Sequence, residues 1–141
     1  MANPPLVLAS SSPRRLMLLA QLGIVPARVT SPDIDESPRR GELPRPYAER
    51  MAVSKARTAK EPDAFVLAGD TVVAAGRRIL PKAETEQQAR QCLDLLSGRR
   101  HRVLTAIALI APDGRCLQRL SESVVTFNRL NDAQKAAYIA T

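Results

Sequence analysis

Strand-like and helix-like patterns of apolar residues alternate along the first half of the chain. Residues 6–9 form a short apolar run, which predicts a buried strand. The next segment predicts a helix, because Ser12 suits the N-cap, Pro13 the first helical position and Gly23 the position just past the end. A strand, a Pro-rich charged loop and a helix are then predicted over residues 24–29, 31–46 and 47–60.

The second half of the chain continues this mixture of elements. Residues 65–75 are apolar and β-branched, which predicts a strand, and the Gly-Asp-Thr sequence at 69–71 predicts a break in it. Thr85 and Gln88 have the spacing of a capping box, and apolar residues recur at helical spacing over 89–96. Two antiparallel strands and a final helix, which Asn131 caps, are predicted over residues 103–110, 116–127 and 133–140.

This order of strands and helices predicts one α/β domain over residues 1–141. Apolar residues make up 45% of the chain, which is enough for a core and excludes a disordered protein. The last predicted helix runs almost to Thr141, the final residue. A natural C-terminal helix and a shortened chain explain that ending equally well.

The charge of the chain indicates anionic partners. The formal net charge is +7, which favours contact with phosphate or nucleic acid, although a solvated basic surface would give the same value. Only 3% of the residues are aromatic, which argues against stacking on single-stranded nucleic acid. Cys92 and Cys116 are isolated, which predicts reduced thiols. The sequence shows neither a membrane span nor a signal peptide, so we expect a cytoplasmic protein.

The sequence ASSSPRR at residues 9–15 joins the first predicted strand to the first predicted helix. The unpaired N–H groups and the dipole of a helix N-terminus attract anions. The three serine hydroxyls add donors, and Arg14 and Arg15 add planar groups that match phosphate oxygens. These residues predict a phosphate site, although a capped helix with exposed arginines would have the same sequence.

Two groups of carboxylates suit a metal ion or the activation of water. Asp33, Asp35 and Glu36 lie close together in the predicted loop, where they fit either magnesium or a solvated acidic segment. Asp70 lies between apolar strand residues, so it either caps a local turn or faces a cleft. In a cleft it could deprotonate a water molecule or hold a metal ion.

Lysines on other segments would complete a triphosphate site. Lys55 lies on a predicted helix and Lys82 follows a strand, and a compact ammonium is a useful point charge on phosphate, although most lysines are simply exposed. His101 is the only histidine, and we expect it to be a structural hydrogen-bonding residue rather than a base. The cations and carboxylates together predict a site for a triphosphate with magnesium.

Seven segments of the chain resemble one known family. The chain contains, in this order, LVLASSSPRR, LLAQLGI, DIDES, VSKA, AGDTVV, LPKAET and LLSGRRHRVLT. From about Leu6 to Thr141 it resembles the Maf family of nucleoside triphosphate pyrophosphatases. The resemblance implies an elongated α/β protein with a mixed, twisted central sheet flanked by helices, a nucleotide cleft between two lobes, and often a homodimer.

The resemblance also implies an activity and a set of roles. The activity is hydrolysis of a nucleoside triphosphate to the monophosphate and pyrophosphate, with Mg²⁺ or Mn²⁺. Glu36 and Asp70 would hold the metal, and Asp70 would also accept the proton of the attacking water. Arg14 and Thr71 would set base preference, and Thr71 is similar to the subgroup that acts on dTTP and UTP. Five side chains would bind the phosphates: Ser10, Arg14, Arg15, Lys55 and Lys82.

The chain departs from the family pattern in two places. The segment around Lys82 reads LPKA where many members have Gly-Lys-Pro. A Gly-rich segment like GKAGGYAIQG, which the family normally has near its C-terminus, is not in this sequence. We therefore expect this form to lack part of the active site and to expose apolar sheet surface.

Two other functions are compatible with the sequence. A non-catalytic regulator of septum formation would bind nucleotide, nucleic acid or a division protein without turnover. A nucleic-acid binder is less favoured, because the arginines are dispersed and aromatic residues are scarce.

Overall fold

One six-stranded sheet organises the structure, a computed structural model that describes residues 3–141. In chain order, the elements are β1 (Leu6–Ala9), α1 (Pro13–Gln21), β2 (Arg28–Thr30), α2 (Pro44–Thr58), β3 (Phe65–Ala75), β4 (Arg78–Leu80), α3 (Glu86–Leu96), β5 (Arg100–Ile110), β6 (Cys116–Thr126) and α4 (Asp132–Ile139). Along the sheet the strand order is β2-β1-β3-β5-β6, and β4 pairs with β3.

The sheet is mixed, which confirms the predicted α/β class. β1 pairs in parallel with β2 and β3, whereas β5 pairs in antiparallel fashion with β3 and β6. The long strands β3, β5 and β6 are 11 residues each and form the central part of the sheet. Of the first two helices, α2 packs on the sheet against β3 and β5, whereas α1 has no buried residue.

One edge of β3 is open at its middle. β1 pairs with β3 only as far as Ala68, opposite Ala9, and β4 begins to pair at Val73. Within the described part of the chain, residues 69–72 therefore pair with β5 alone. The parallel register also places Ser10, the residue after β1, beside this gap.

The main core lies between α2 and the sheet. Small and apolar residues on one face of α2, among them Ala48, Met51 and Ala52, are almost completely buried. They pack with the inward residues of β3 and β5, such as Val66 and Ala108. Burial of apolar area on this face supplies most of the stabilisation that fixes α2 over β3.

The structure differs from the predicted elements at four points. Strand 65–75 runs without a break, because residues 69–71 pair continuously with β5. The predicted strand 24–29 is wrong in position, because only Arg28–Thr30 pair with β1. α2 begins at Pro44, since proline is favoured in a first helical turn. β5 begins at Arg100 rather than at residue 103, because its pairing with β6 extends to Thr126.

Several helix ends agree with the sequence signals. Ser12 is the N-cap of α1, although its side chain makes no capping hydrogen bond. Thr85 caps α3 by accepting from the N–H of Gln88, and Asn131 forms a full capping box with Gln134. These caps satisfy backbone groups that a helix leaves unpaired at its start.

Apolar side chains are exposed in two areas. On the sheet they are Val29, Ile107, Leu117 and Val124. On α1, which has no buried residue, and on the segment after it, they include Leu16, Met17, Leu18, Leu22, Ile24 and Val25. No helix among residues 3–141 combines the length and the apolar character that crossing a membrane requires.

Candidate active site

The start of the site is a buried serine at the end of β1. Ser10 is only 6% exposed, and its Oγ accepts from the backbone N–H of Ser12 at 3.1 Å and from Nη1 of Arg15 at 3.2 Å. These two donors occupy both lone pairs of the hydroxyl. The proton of Ser10 is therefore free to donate outward, which suits a phosphate oxygen.

The guanidinium of Arg15 lies across β3 at Gly69. Its Nη2 donates to Thr71 Oγ1 at 3.1 Å, and Thr71 Oγ1 lies 3.1 Å from Thr105 Oγ1. A Cβ on Gly69 would be 3.0 Å from Nε of Arg15 and 3.3 Å from the carbonyl oxygen of Ala106, so any larger residue would crowd this guanidinium. Burial lowers the pKa of Arg15, an effect that the charge of Asp70 opposes.

A second cluster forms around the ammonium group of Lys55. Lys55 Nζ lies 2.9 Å from Asp70 Oδ1 and 3.2 Å from Glu36 Oε1. Asp70 is 5% exposed, and it lies on the same face of β3 as the buried residues Ala68 and Val72. The side chain is in the strand and lines a cavity, so the alternative of a local turn at Asp70 is excluded.

The acidic loop that carries Glu36 is attached to α2. Tyr47 donates from its hydroxyl to the carbonyl oxygen of Glu36 at 2.5 Å. Arg50 donates from Nη2 to the carbonyl oxygen of Ser37 at 3.1 Å. The Arg50 guanidinium also forms a two-pronged pair with Glu42, with distances of 2.8 and 2.7 Å, and these hydrogen bonds lower the pKa of Glu42 to about 2.

A cavity of about 400 Å³ opens along the free edge of β3. Its lining includes Asp70 and Thr71 from β3, Glu36 and Tyr47, and Lys82 from the loop after β4. A neighbouring cavity of about 550 Å³ shares Thr71 and Lys82 but is lined mainly by apolar residues of α3 and α4. The two cavities together can receive a charged and an apolar part of one ligand.

Most of the predicted site residues are in these contacts. Lys82 reaches the cavity despite the LPKA sequence. Arg14 is exposed on the first turn of α1. Its roles in phosphate binding and base preference remain predictions. The residues that meet around the cavity or join its hydrogen-bond network are Ser10, Arg15, Glu36, Lys55, Asp70, Thr71 and Lys82.

The other acidic loop residues and the histidine lie outside this network. Asp35 accepts from the N–H of Ser37 at 2.9 Å, and this hydrogen bond lowers the pKa of Asp35. Asp33 is exposed. His101 is buried edge-on against Phe127 at 4.9 Å, and its Nδ1 has no hydrogen-bond partner among residues 3–141. The predicted hydrogen-bonding role is not seen at Nδ1, and His101 instead packs against the Phe127 ring.

Three site residues were not predicted from the sequence. Glu84 lines the charged cavity, and Thr105 contacts Thr71 across the β3–β5 pair. Tyr47 precedes Lys55 by eight residues, a spacing that puts both on one helix face, so the pattern could have identified it. Thr105 had no local signal, because its contact depends on strand register.

The donor set fits a magnesium or manganese ion bound together with phosphates. Glu36 and Asp70 both pair with one cation, the Lys55 ammonium, so the same two carboxylates could hold a divalent cation in its place. No group of three or more His, Cys, Asp or Glu residues within 3–141 is arranged to hold a metal ion. Magnesium commonly takes one or two carboxylates and completes its shell with water and phosphate oxygens.

Known proteins are similar to this chain in sequence. The model of the Maf-like protein family matches residues 5–141. The chain is 61% identical over 142 residues to the dTTP/UTP pyrophosphatase of Caulobacter vibrioides, an alignment that covers 99% of this chain and 74% of that protein. It is 61% identical over 140 residues to the dTTP/UTP pyrophosphatase of Novosphingobium aromaticivorans, with 98% and 70% covered.

Solved structures show a related fold at low sequence identity. A nucleoside-triphosphatase / dITP/XTP pyrophosphatase from Mycobacterium abscessus superposes with a TM-score of 0.54 at 18% identity, covering 89% of this chain and 74% of that one. The Ham1 protein of Staphylococcus aureus superposes with a TM-score of 0.52 at 14% identity, covering 84% and 69%. The predicted resemblance is confirmed, and this chain is a member of the Maf-like protein family.

Proposed function

We propose that this protein hydrolyses dTTP and UTP to the nucleoside monophosphate and pyrophosphate. The observation that carries the proposal is the meeting of Asp70, Lys55 and Glu36 in a cavity that Lys82 also lines. Two carboxylates and two ammonium groups provide a base, a metal site and charge compensation for a triphosphate. The choice of dTTP and UTP as substrates rests on the two bacterial relatives, both of which are named dTTP/UTP pyrophosphatase.

The phosphate chain would bind between Lys82 and the Ser10–Arg15 pair. Ser10 would donate its free proton to a phosphate oxygen. Two of the donor groups of Arg15 hold Ser10 and Thr71, so its remaining N–H groups would contact phosphate. Once a metal ion neutralises the charge of Glu36 and Asp70, Lys55 would turn from these carboxylates toward the phosphates. These contacts offset the charge of the substrate.

Asp70 would act as the general base of the reaction. It would accept a proton from the attacking water while the bond between the α and β phosphates breaks and pyrophosphate leaves. Glu36 and Asp70 would hold the divalent metal, which neutralises phosphate charge when it is bound. Burial of Asp70 on a central strand keeps its carboxylate fixed during this step.

Base preference would be set at Thr71. Its hydroxyl is held between Arg15 and Thr105, and it lines both cavities. A hydroxyl held in one position favours a base that can hydrogen-bond to it over a base that cannot. Arg14 would contribute to the same base preference.

Two further predictions made from the sequence are a cytoplasmic location and a homodimer.

The experiment that tests the proposal is release of pyrophosphate by the purified chain. The substrates are dTTP, UTP, CTP, GTP, ATP and 7-methyl-GTP, each with Mg²⁺ or Mn²⁺. We expect dTTP and UTP to be preferred, and Asp70→Asn to lose turnover by roughly 10²-fold or more while still binding nucleotide. Equal turnover by Asp70→Asn would contradict the assigned base, and preference for 7-methyl-GTP would contradict the role of Thr71.

A further inference from the structure

We propose that Tyr47 and Arg50 are positioning residues that clamp the acidic loop and thereby hold Glu36 at the metal site. The inference rests on the proposed function, because the position of Glu36 affects catalysis only if Glu36 helps to bind the metal. Neither residue would touch the reacting phosphates. Both would act through the backbone of the loop.

The clamp, formed by Tyr47 and Arg50, donates hydrogen bonds to two consecutive carbonyl groups of the loop. Tyr47 holds the carbonyl of Glu36, and Arg50 holds the carbonyl of Ser37. Tyr47 is 8% exposed, so its hydroxyl donates to the carbonyl of Glu36 from a buried position. Two adjacent anchors fix the direction of the backbone as well as its distance, so the side chain of Glu36 has a defined orientation.

Arg50 is itself held in place from two sides. Glu42 binds its guanidinium with two hydrogen bonds, and the ring of Tyr47 lies 5.7 Å beneath its central carbon. Because Glu42 lies at the far end of the loop, one guanidinium joins both ends of residues 37–42. A bidentate carboxylate pair and a cation–π contact preorganise Arg50 before any ligand arrives.

The loop needs this support because Glu36 has little of its own. The side chain of Glu36 is 50% exposed, and its carboxylate forms a 3.2 Å ion pair with Lys55. That pair is lost if Lys55 turns toward phosphate. The backbone hydrogen bonds from Tyr47 and Arg50 do not involve Lys55 and would persist in either state. Within the same loop, Ile34 packs against the core two residues before Glu36.

The test compares Tyr47→Phe and Arg50→Lys with the control Arg45→Ala. Tyr47→Phe removes one hydroxyl and keeps the ring, and Arg50→Lys keeps the charge but loses the fork. Arg45 lies on the same helix, is 62% exposed and pairs only with Glu49 at 3.8 Å among the described residues. The readouts are amide exchange of residues 34–38, trypsin cleavage at the exposed Arg39 and Arg40, Mn²⁺ affinity without nucleotide, and kcat and KM.

We expect each clamp variant to speed loop exchange and weaken Mn²⁺ binding by about five-fold, the effect of one lost hydrogen bond. The metal concentration needed for half-maximal rate should rise by a similar factor, and Arg45→Ala should match the wild type. Unchanged loop exchange would overturn the proposal, and so would faster exchange with unchanged Mn²⁺ affinity. If the wild type releases no pyrophosphate but the variants still weaken Mn²⁺ binding, the clamp stands and the proposed function fails.

Discussion

At the scale of single residues, the site depends on a glycine, Gly69, at the point where Arg15 crosses β3. Gly69 has no Cβ, so the guanidinium of Arg15 can lie against β3 and reach Ser10 and Thr71 together. The backbone of Gly69 has ordinary dihedral angles for a strand, so its requirement is space and not conformational freedom. A glycine in a strand interior often marks such a close approach.

We expect Gly69→Ala to displace Arg15 and reduce activity. The new methyl would lie 3.0 Å from Arg15 Nε and 3.3 Å from the carbonyl oxygen of Ala106, and the carbonyl cannot yield easily. Overpacking of this kind costs about 1–3 kcal/mol of unfolding free energy. Urea unfolding and nucleotide KM measure the two effects, and a variant with wild-type KM would contradict the role of Arg15.

Lys55→Met should separate metal binding from catalysis. Removing the ammonium leaves Glu36 and Asp70 without their cation, so Mn²⁺ should bind more tightly without nucleotide. The unpaired charge of Asp70 should lower the unfolding free energy by roughly 3 kcal/mol in the absence of metal. Turnover should fall because one phosphate contact is lost. Calorimetry with Mn²⁺ alone checks the first effect, and weaker binding would show that Lys55 does not compete with the metal.

His101→Leu should leave turnover unchanged. His101 is 4% exposed, its Nδ1 is unpartnered in the described structure, and it lines neither cavity of the site. Replacement of an unsatisfied buried polar group by an apolar one of similar size is nearly neutral or stabilising. Thermal unfolding compares the stability of His101→Leu with that of His101→Ala. The alanine variant should be the less stable of the two. Loss of activity in folded His101→Leu would contradict a purely structural role.

At the scale of elements, α2 connects the core to the site. Its buried face packs on β3 and β5, and the same helix carries Tyr47, Arg50 and Lys55. Tyr47 and Lys55 are separated by about two turns, so one end of the helix holds the acidic loop and the other reaches Asp70. Packing of Met51 between them keeps this spacing constant.

The Glu42–Arg50 pair predicts a measurable dependence of stability on pH. Hydrogen bonds from Arg50 lower the pKa of Glu42 from 4.5 to about 2 in the folded protein. The pair therefore stabilises the fold fully above pH 4.5, and this contribution is lost as the pH falls toward 2. After discounting for solvent screening we expect roughly 1 kcal/mol.

Urea unfolding of Glu42→Gln and the wild type between pH 7 and pH 2 measures this contribution. The variant should be less stable at pH 7, and the difference should disappear at the acidic end. A constant difference across the whole range would indicate that the charge of Glu42 does not contribute. Arg45→Ala serves as the control, because its ion pair with Glu49 is exposed.

The elements show where sequence reasoning succeeded and where it failed. β1, β6, the capped helices α3 and α4, and the N-cap of α1 follow local signals and were predicted closely. The break at residues 69–71 was wrong, because Gly69 and Asp70 resemble turn residues locally. Continuous pairing with β5, which lies more than 30 residues away, overrides that preference.

At the scale of the whole molecule, the site is assembled from distant segments around the free edge of β3. The sequence identified most of its members by their chemistry and by the family resemblance, because Ser10, Lys55 and Asp70 lie in recognisable segments. It could not show that Lys55 bridges two carboxylates, or that Tyr47 and Arg50 hold the loop. Those contacts depend on tertiary packing across 10 or more residues.

The two halves of this site differ in their resistance to heat. Asp70 and Thr71 belong to β3, which pairs with β5 continuously from Val66 to Ala74. Local opening of β3 at these residues therefore requires much of the sheet to separate. Glu36 belongs to an exposed loop attached through a few hydrogen bonds. On warming, the loop should detach first, so the enzyme should inactivate reversibly at temperatures at which its sheet is still intact.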